Sequence, residues 1–490
     1  MSNDPSRLVL VASNRGPVSY GFAEDGSLTA KRGGGGMVSG MTSGLSSVAA
    51  DGGALWVCAA MSEADRVAAR RGERAGGGRG EAEVRMLDIP PDTFSAAYND
   101  IANRILWFVH HLLFDTPNHP RFDAAFRGQW ADYVAYNEAF AAALAEESGA
   151  GTRTLVQDYH LALVPRMLRA RRPQARIAHF QHTPWAPPDY YRMLPDDVAA
   201  GILEGMLGAD HAGFLAPRWA EAFLDCCEAV LGARVTRPGA PARAGSVVGE
   251  VEYLSRTTVV AVHPLGVDPA GLRARAAQDD VRAAAAAMRE RAEGRQLIVR
   301  VDRTELSKNI VRGLAAYREL LATRPEWRGR VTHLAFAYPS RSSLAEYRAY
   351  TERVRELARS VNEEFRTPDW EPVILEVKDD YARSLAACRI ADVLLVNPTR
   401  DGMNLVAEEG PVLSEAGCAL VLSREAGAAA LIGQHSLLVN PYDVTETAAA
   451  LHDGLSMPAG ERRRRSGVIT AAVAAREPRQ WLAEQLDALT

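Results

Sequence analysis

Residues 393–409 read VLLVNPTRDGMNLVAEE, and their types and spacing could do chemistry. An apolar run suited to a strand gives way to a polar turn and then to a helix-forming stretch. Asp401, Asn404 and Glu409 therefore gather around a helix N-terminus. Such a terminus favours anions, because its first N–H groups lack partners and the macrodipole is positive there. A diphosphate suits the place, and the flanking carboxylates can accept from sugar hydroxyls, so the run reads as a sugar-nucleotide site. The plain alternative is an ordinary helix start with Asn404 as its cap.

Other clusters follow apolar runs in the same way. In RTELSK, Arg303 offers a planar fork and Lys308 a point charge, a clamp for a departing phosphate or simply a solvated basic turn. Pro339-Ser340-Arg341 reads by itself as a turn. Gln157-Asp158-Tyr159-His160 and Gln181-His182-Thr183-Pro184-Trp185 put a carboxylate and two imidazoles at the ends of successive strand-like runs, which is the ligand-facing edge of an open α/β sheet. One buried histidine is usually structural; two such clusters in succession point to a site. Ser13-Asn14-Arg15 ends the first run, and Lys31-Arg32 precedes four glycines at 33–36. Those glycines allow close backbone approach to a ligand or form a flexible hairpin tip. With no Asp-x-Asp and no zinc-like spacing, cationic side chains and helix amides, rather than a metal, are expected to meet the charge of a leaving diphosphate.

The elements that must position these residues are legible as twelve short aliphatic or β-branched runs, alternating with helical stretches such as 196–207, 218–231 and 311–322. This alternation predicts a doubly wound α/β architecture with parallel sheets, and twelve strands call for two of them. Two prolines and a glycine in HPLGVDP, 263–269, mark the boundary. The expected division is a first domain over 1–263, a second over 264–465, and a C-terminal helix over 466–490 that crosses back to the first. Residues 276–293 predict one helix, and 70–80 and 233–249 surface loops. The 490-residue length exceeds one core, and 47% hydrophobic with 24% charged residues fits a soluble globular protein. There is no membrane-length apolar run and no signal-peptide pattern. Five scattered cysteines without paired spacing predict a reduced, cytoplasmic setting. A net charge of -5 argues against a nucleic-acid partner. A homo-oligomer is left open.

Together these stretches resemble the trehalose-6-phosphate synthase family of retaining glycosyltransferases, and its actinomycete branch in particular. The likeness rests on SNR with the glycine run, QDYHLALVP, HTPW, ILEGMLGADHAGF, GVDP, the R-x-x-x-S-K turn, PSR, TPDW, RDGMNLVAEE, AGAA and LLVNPYD, in that order. It implies two Rossmann-like domains facing across a cleft, the GT-B fold. It also implies transfer of glucose from a nucleotide-glucose to glucose 6-phosphate with retention, needing no metal and no cofactor. On this resemblance Arg303, Lys308, His182 and Asp158 form the catalytic group. Arg303 and Lys308 would stabilise the leaving diphosphate, which itself takes the acceptor proton in a front-side displacement. His182 would contact the donor glucose, and Asp158 would hold acceptor hydroxyls near the reacting centre. Arg15 and Arg341 would bind the acceptor phosphate, with Tyr98 and Trp107 walling its pocket. Asp401 would take the far hydroxyls of the donor sugar, the backbone of Gly402, Met403, Asn404 and Leu405 its sugar and diphosphate, and Glu409 the ribose. Gly36 would lie against the diphosphate.

The departures are specific. The family's usual R-L-D-Y-S-K-G is here RTELSKN, a common second tryptophan is replaced near Ala59, Gly410-Pro411 interrupts an expected continuous helix, and Glu408 stands where lysine is common. In this fold the segment after residue 377 lines the base pocket. A carboxylate there accepts from guanine N1–H and the exocyclic amine together, so Asp379, with Ser384, predicts GDP-glucose over UDP-glucose as donor. Rival readings are a pseudo-glycosyltransferase joining cyclitols, a glucosylglycerol-phosphate synthase, and a non-catalytic sugar-phosphate-binding subunit.

Overall fold

Runs such as VLVAS, ALWVCA and VLLV bury every residue. A strand covered on both faces belongs to a parallel sheet between helical layers. The structure, a computed structural model, describes residues 8–32, 38, 40–42, 44–45, 53–76, 81–239 and 245–490. It divides into two units: Met1–Leu265 with Pro478–Thr490, and Gly266–Glu477.

The first unit is built on β1 (Val9–Ser13), a hairpin of β2 (Val18–Phe22) and β3 (Leu28–Arg32), then β4 (Ala54–Ala59), β5 (Glu83–Leu87), β6 (Arg153–Gln157), β7 (Arg176–Gln181), β8 (His211–Phe214), β9 (Arg234–Thr236), β10 (Val247–Tyr253) and β11 (Arg256–Val262). Apart from the hairpin they form one sheet, ordered β5-β4-β1-β6-β7-β8-β11-β10-β9. The pairings are parallel as far as β11, and β10 and β9 then run antiparallel. Successive strands leave β1 on one side and return on the other, so the strand order reverses between β1 and β6. At such a switch point the connections part and leave a crevice beyond the strand C-termini. Ser13-Asn14-Arg15 follows β1, and Asp158 follows β6.

The second unit carries β12 (Gln296–Arg303), β13 (Val331–Tyr338), β14 (Val373–Glu376), β15 (Val393–Val396), β16 (Ala419–Ser423) and β17 (Leu437–Val439). They form one sheet ordered β14-β13-β12-β15-β16-β17, parallel throughout. Here the order reverses between β12 and β15, the strands that feed the RTELSK turn and the RDGMNL turn. The core around them buries Ile298, Leu314, Tyr317, Leu321, Val393 and Val421.

Several elements differ from the sequence expectation. The expected loop at 233–249 contains β9 and the start of β10, and β2, β3 and β5 are further strands; Ala75 in the expected loop at 70–80 bridges to Val84 of β5. The helix expected over 276–293 is Asp279–Ala292, and a separate helix, Pro269–Ala276, precedes it. The division falls after Leu265, inside the expected HPLGVDP boundary, but 466–477 stay with the second unit. The expected C-terminal helix is broken, with Ala459–Ala474 in the second unit and Pro478–Asp487 in the first.

The Pro478–Asp487 helix is held by specific contacts in the first unit. Trp481 is buried and meets Phe180 of β7 edge-on, with ring centroids 5.0 Å apart. Glu484 Oε2 lies 2.9 Å from His263 Nδ1, and His263 Nε2 lies 2.9 Å from His211 Nε2. Facing ring nitrogens at that distance require one to donate and the other to accept.

Candidate active site

The turn after β1 is tight before any ligand is considered. Ser13 Oγ donates to the Arg15 carbonyl at 2.8 Å and accepts from Trp56 Nε1 at 2.7 Å, and Asn14 Oδ1 accepts from the Tyr136 hydroxyl at 2.5 Å. These buried bonds leave the Arg15 side chain exposed at the strand end. Lys31 and Arg32 end β3, while the glycines at 33–36, Gly36 among them, lie outside the described residues.

Asp158 sits at φ 72, ψ 168, a region that residues with a side chain rarely occupy. Its own N–H donates to the Phe180 carbonyl at 2.7 Å, and its Oδ1 accepts the His182 N–H at 3.2 Å. The backbone is thus held bent so that the carboxylate reaches across to the end of β7. His182 Nε2 lies 2.8 Å from Gln157 Oε1, which assigns the proton to Nε2 and leaves Nδ1 as an acceptor. Burial, then the neighbouring His179, pushes His182 down to about 3. The ring is therefore neutral at physiological pH, and it can hydrogen-bond but not carry a second proton.

Tyr98 and Trp107 come from one irregular helical segment. Residues Ala96–Leu106 form a π-helix, an uncommon geometry that often marks functional sites. Tyr98 stacks on His160 at 5.6 Å and 17°, and His160 Nδ1 is 3.9 Å from Asp158 Oδ2. Tyr98 is therefore brought to the Asp158 turn. Trp107 is deeper: it is buried, stacked on His111 at 3.9 Å and tilted against Tyr159.

The second unit gathers its charges at the switch point. Lys308 Nζ donates to Asp401 Oδ2 at 2.6 Å, and Asn404 Nδ2 donates to the same oxygen at 3.1 Å. Burial works against the ammonium, but Asp401 and then Asp302 outweigh it and hold Lys308 above its ordinary value. The altered RTELSKN turn is well supported. Asn309 adopts φ 58, a conformation that glycine and asparagine tolerate, and its Nδ2 donates to the carbonyls of Asn397 and Pro441. Arg300, fully buried and paired with Asp302, donates to the Lys308 carbonyl at 3.0 Å. On the other side of the turn, Glu305 Oε1 takes Arg303 Nη1 at 3.1 Å and Arg341 Nη1 at 3.6 Å.

The RDGMNL run departs from the plain alternative in one respect. The helix is Val406–Leu413, capped by no side chain; Asn404, at φ 75, turns its amide to Asp401 instead. Gly410 and Pro411 continue this helix rather than interrupt it, and a Cβ on Gly410 would lie 2.3 Å from Leu394 Cδ2 of β15. Beneath the turn, Gly427 admits the chain: a Cβ there would stand 1.9 Å from the Gly402 carbonyl oxygen, while the Met403 carbonyl accepts from Ala428 N–H. Leu405 ends the turn half-buried. Burial raises Glu409 to about 7, and raises the fully buried Glu408 to about 8 against the pull of Arg476.

Asp379 is exposed after β14, beside Asp380, which caps the helix Tyr381–Ile390. Ser384 is buried, and its hydroxyl donates to the Asp380 carbonyl at 2.8 Å, so its proton serves the helix. The Tyr338 phenol is raised by burial first and then by the negative charge of Cys388, Asp379, Asp302 and Glu409.

The chain matches Glycosyltransferase family 20 over residues 7–490. It belongs to that family. It is 34% identical over 412 residues to the trehalose-6-phosphate synthase of Mycobacterium avium, spanning 83% of this chain and 81% of the relative. It is 32% identical over 444 residues to the validamine 7-phosphate valienyltransferase of Streptomyces hygroscopicus subsp. jinggangensis, spanning 89% and 85%. The crystal structure of an alpha,alpha-trehalose-phosphate synthase (UDP-forming) from Burkholderia vietnamiensis matches with a TM-score of 0.82 at 28% identity, over 99% of both chains. With its two Rossmann-like units, this family-20 chain is a glycosyltransferase of the GT-B fold.

Three residues that shape these turns escaped the sequence reading. Glu305 was hidden among cations, and Gly427 gave no sign of the backbone it admits. Tyr381, 54% exposed beside Asp379 with the Arg275 guanidinium 6.0 Å from its ring, could have been noticed as an aromatic next to a carboxylate pair.

Proposed function

We propose that this chain transfers glucose from a nucleotide-glucose to the anomeric oxygen of glucose 6-phosphate, giving alpha,alpha-trehalose 6-phosphate with retention at the donor carbon. The observation that carries this reading is the charge pattern at the second switch point. Lys308 and Arg303 supply cations, while Asp401 supplies a carboxylate beside an uncapped helix start. Charge develops on the diphosphate as the glycosidic bond breaks, and fixed cations aimed there lower the barrier. In this reading an oxygen of the departing diphosphate takes the acceptor's hydroxyl proton while the new bond forms on the same face of the sugar. Asp158 holds acceptor hydroxyls, neutral His182 accepts from the donor sugar through Nδ1, and Arg15 and Arg341 bind the acceptor phosphate. Charge neutralisation is assigned to Arg303, Lys308 and helix amides rather than to a divalent ion, so a chelator should leave the rate unchanged. The five buried thiols suit a reducing compartment.

For the donor base the reading favours GDP-glucose. Asp379 is exposed, and its negative charge, like that of Glu409, the assigned ribose acceptor, raises the Tyr338 phenol. A carboxylate pairs with the two adjacent donors of guanine, whereas uracil offers one N–H between two carbonyls that repel it. The exposed ring of Tyr381 offers a face for a base to stack on. Comparing kcat/KM for GDP-, ADP- and UDP-glucose tests this, and a clear UDP preference refutes it.

A second reading is favoured by the similarity to the valienyltransferase, which is close to that to the synthase. The acceptor or donor would then be a cyclitol, and the small Ala59 leaves room at the acceptor side. Product analysis with glucose 6-phosphate and each nucleotide-glucose separates the two readings: trehalose 6-phosphate supports the first, and no product with any donor removes it.

A further inference from the structure

Glu305 is fully buried, yet it carries three contacts on one oxygen. Oε1 accepts from Ser340 Oγ at 2.9 Å and forms ion pairs with Arg303 Nη1 at 3.1 Å and Arg341 Nη1 at 3.6 Å, while Oε2 has no hydrogen-bond partner. Burial pushes this carboxyl up, but Arg303, Arg341 and Lys308 outweigh it and hold it down at about 2. Arg303 ends β12 and Arg341, at φ 44, follows β13. Two guanidinium groups from adjacent strand ends thus meet at a single atom. Their own repulsion would otherwise drive them apart, and an exposed arginine would lose rotamer freedom on binding an anion. Arg303 retains 54% side-chain exposure, so its remaining donors are open to a ligand; Arg341 is further steadied by the Tyr347 hydroxyl at 2.7 Å.

We propose that Glu305 is the positioning residue that sets Arg303 and Arg341 in one fixed geometry, so that the diphosphate of the donor and the phosphate of the acceptor are both bound by arginines anchored to the same carboxylate. This deepens the transfer reading and rests on it. Glutamate at this position, where the resembled family pattern has aspartate, is one methylene longer, which lets a buried carboxylate reach both strand ends.

The test is calorimetric binding of GDP and of glucose 6-phosphate, separately, to the full chain and to its Glu305→Gln and Glu305→Asp variants, with melting curves for each. Glu305→Gln keeps the shape and removes the charge; both affinities should fall tenfold or more, and kcat with them, in a variant that still melts cooperatively. Glu305→Asp keeps the charge and should recover part of both losses. A folded Glu305→Gln variant whose two affinities stay within twofold of wild type overturns the role, as does a loss confined to one ligand. If the Gln variant does not fold, the Asp variant decides: both affinities should fall together, and unchanged values or a change in only one overturn the role. A wild-type chain that binds neither ligand removes the transfer reading itself, and this role with it.

Discussion

Lys308 and Asp401 form a half-buried ion pair at 2.6 Å, reached from turns that follow the neighbouring strands β12 and β15. Each partner is assigned to a different part of the donor, the ammonium to the diphosphate and the carboxylate to sugar hydroxyls. Under the proposed transfer, a nucleotide-glucose would replace both partners at once, whereas a free nucleoside diphosphate would compensate only Lys308. Engagement of the diphosphate and of the sugar is therefore linked through one contact.

Lys308→Ala should lower kcat by about 10²–10³-fold, the usual loss on removing one transition-state charge partner. Donor affinity should change far less, because the ammonium matters most as charge builds on the leaving group. Steady-state rates and a binding isotherm check this; an unchanged kcat contradicts the assigned role.

The strained backbone at Asp158 predicts a split between stability and rate. Asp158→Gly should relieve roughly 1–3 kcal/mol of strain and melt above Asp158→Ala, which keeps a Cβ in the same conformation. Both variants should lose most transfer activity, since both lack the carboxylate. Equal melting temperatures for the two would show that no strain is stored there.

Glu408 should make stability fall as the solution becomes alkaline. Its folded value, about 8, lies above the ordinary carboxyl value of 4.5. The folded chain therefore binds more protons than the unfolded one between those values, and the stabilisation present below 4.5 is lost as pH rises through 8. Glu408→Gln should melt like wild type at pH 5 and at a higher temperature at pH 9. A constant difference across that range would remove Glu408 as the cause.

Gly427→Ala forces a Cβ against the Gly402 carbonyl. Overpacking of this kind costs about 1–3 kcal/mol when the neighbour is backbone and must move. The displaced turn carries Asp401 and Asn404, so donor KM should rise severalfold while the KM for glucose 6-phosphate stays near wild type. An unchanged donor KM would show that the turn tolerates the shift.

Strands such as β1, β4, β15 and β16 were legible because residues buried on both faces leave a continuous apolar run. The five strands that were not recognised are hairpin or outer strands of the first unit, such as β3 with LTAKR and β10 with VVGEVEY. Lacking cover on one side, they carry charges that read as loop. The break between Ala276 and Asp279 is equally invisible to propensity, since alanine and glutamine suit a helix whether or not it continues. At the site, single residues could be placed because a parallel sheet puts strand ends on one edge. The pairs could not. Lys308 and Asp401 are 93 positions apart, and only the strand order β12-β15 makes them neighbours. Nor does a sequence reveal that Asn404 turns away from the helix it precedes.

The chain end completes the first unit: Trp481 covers Phe180 and Glu484 reaches His263, while all of the second unit is encoded between. During synthesis the second unit is therefore complete before Pro478–Thr490 can join the first, and until then Phe180 of β7 lacks the cover of Trp481. A chain released early, before Pro478, would carry a finished second unit and a first unit with apolar surface still open to water.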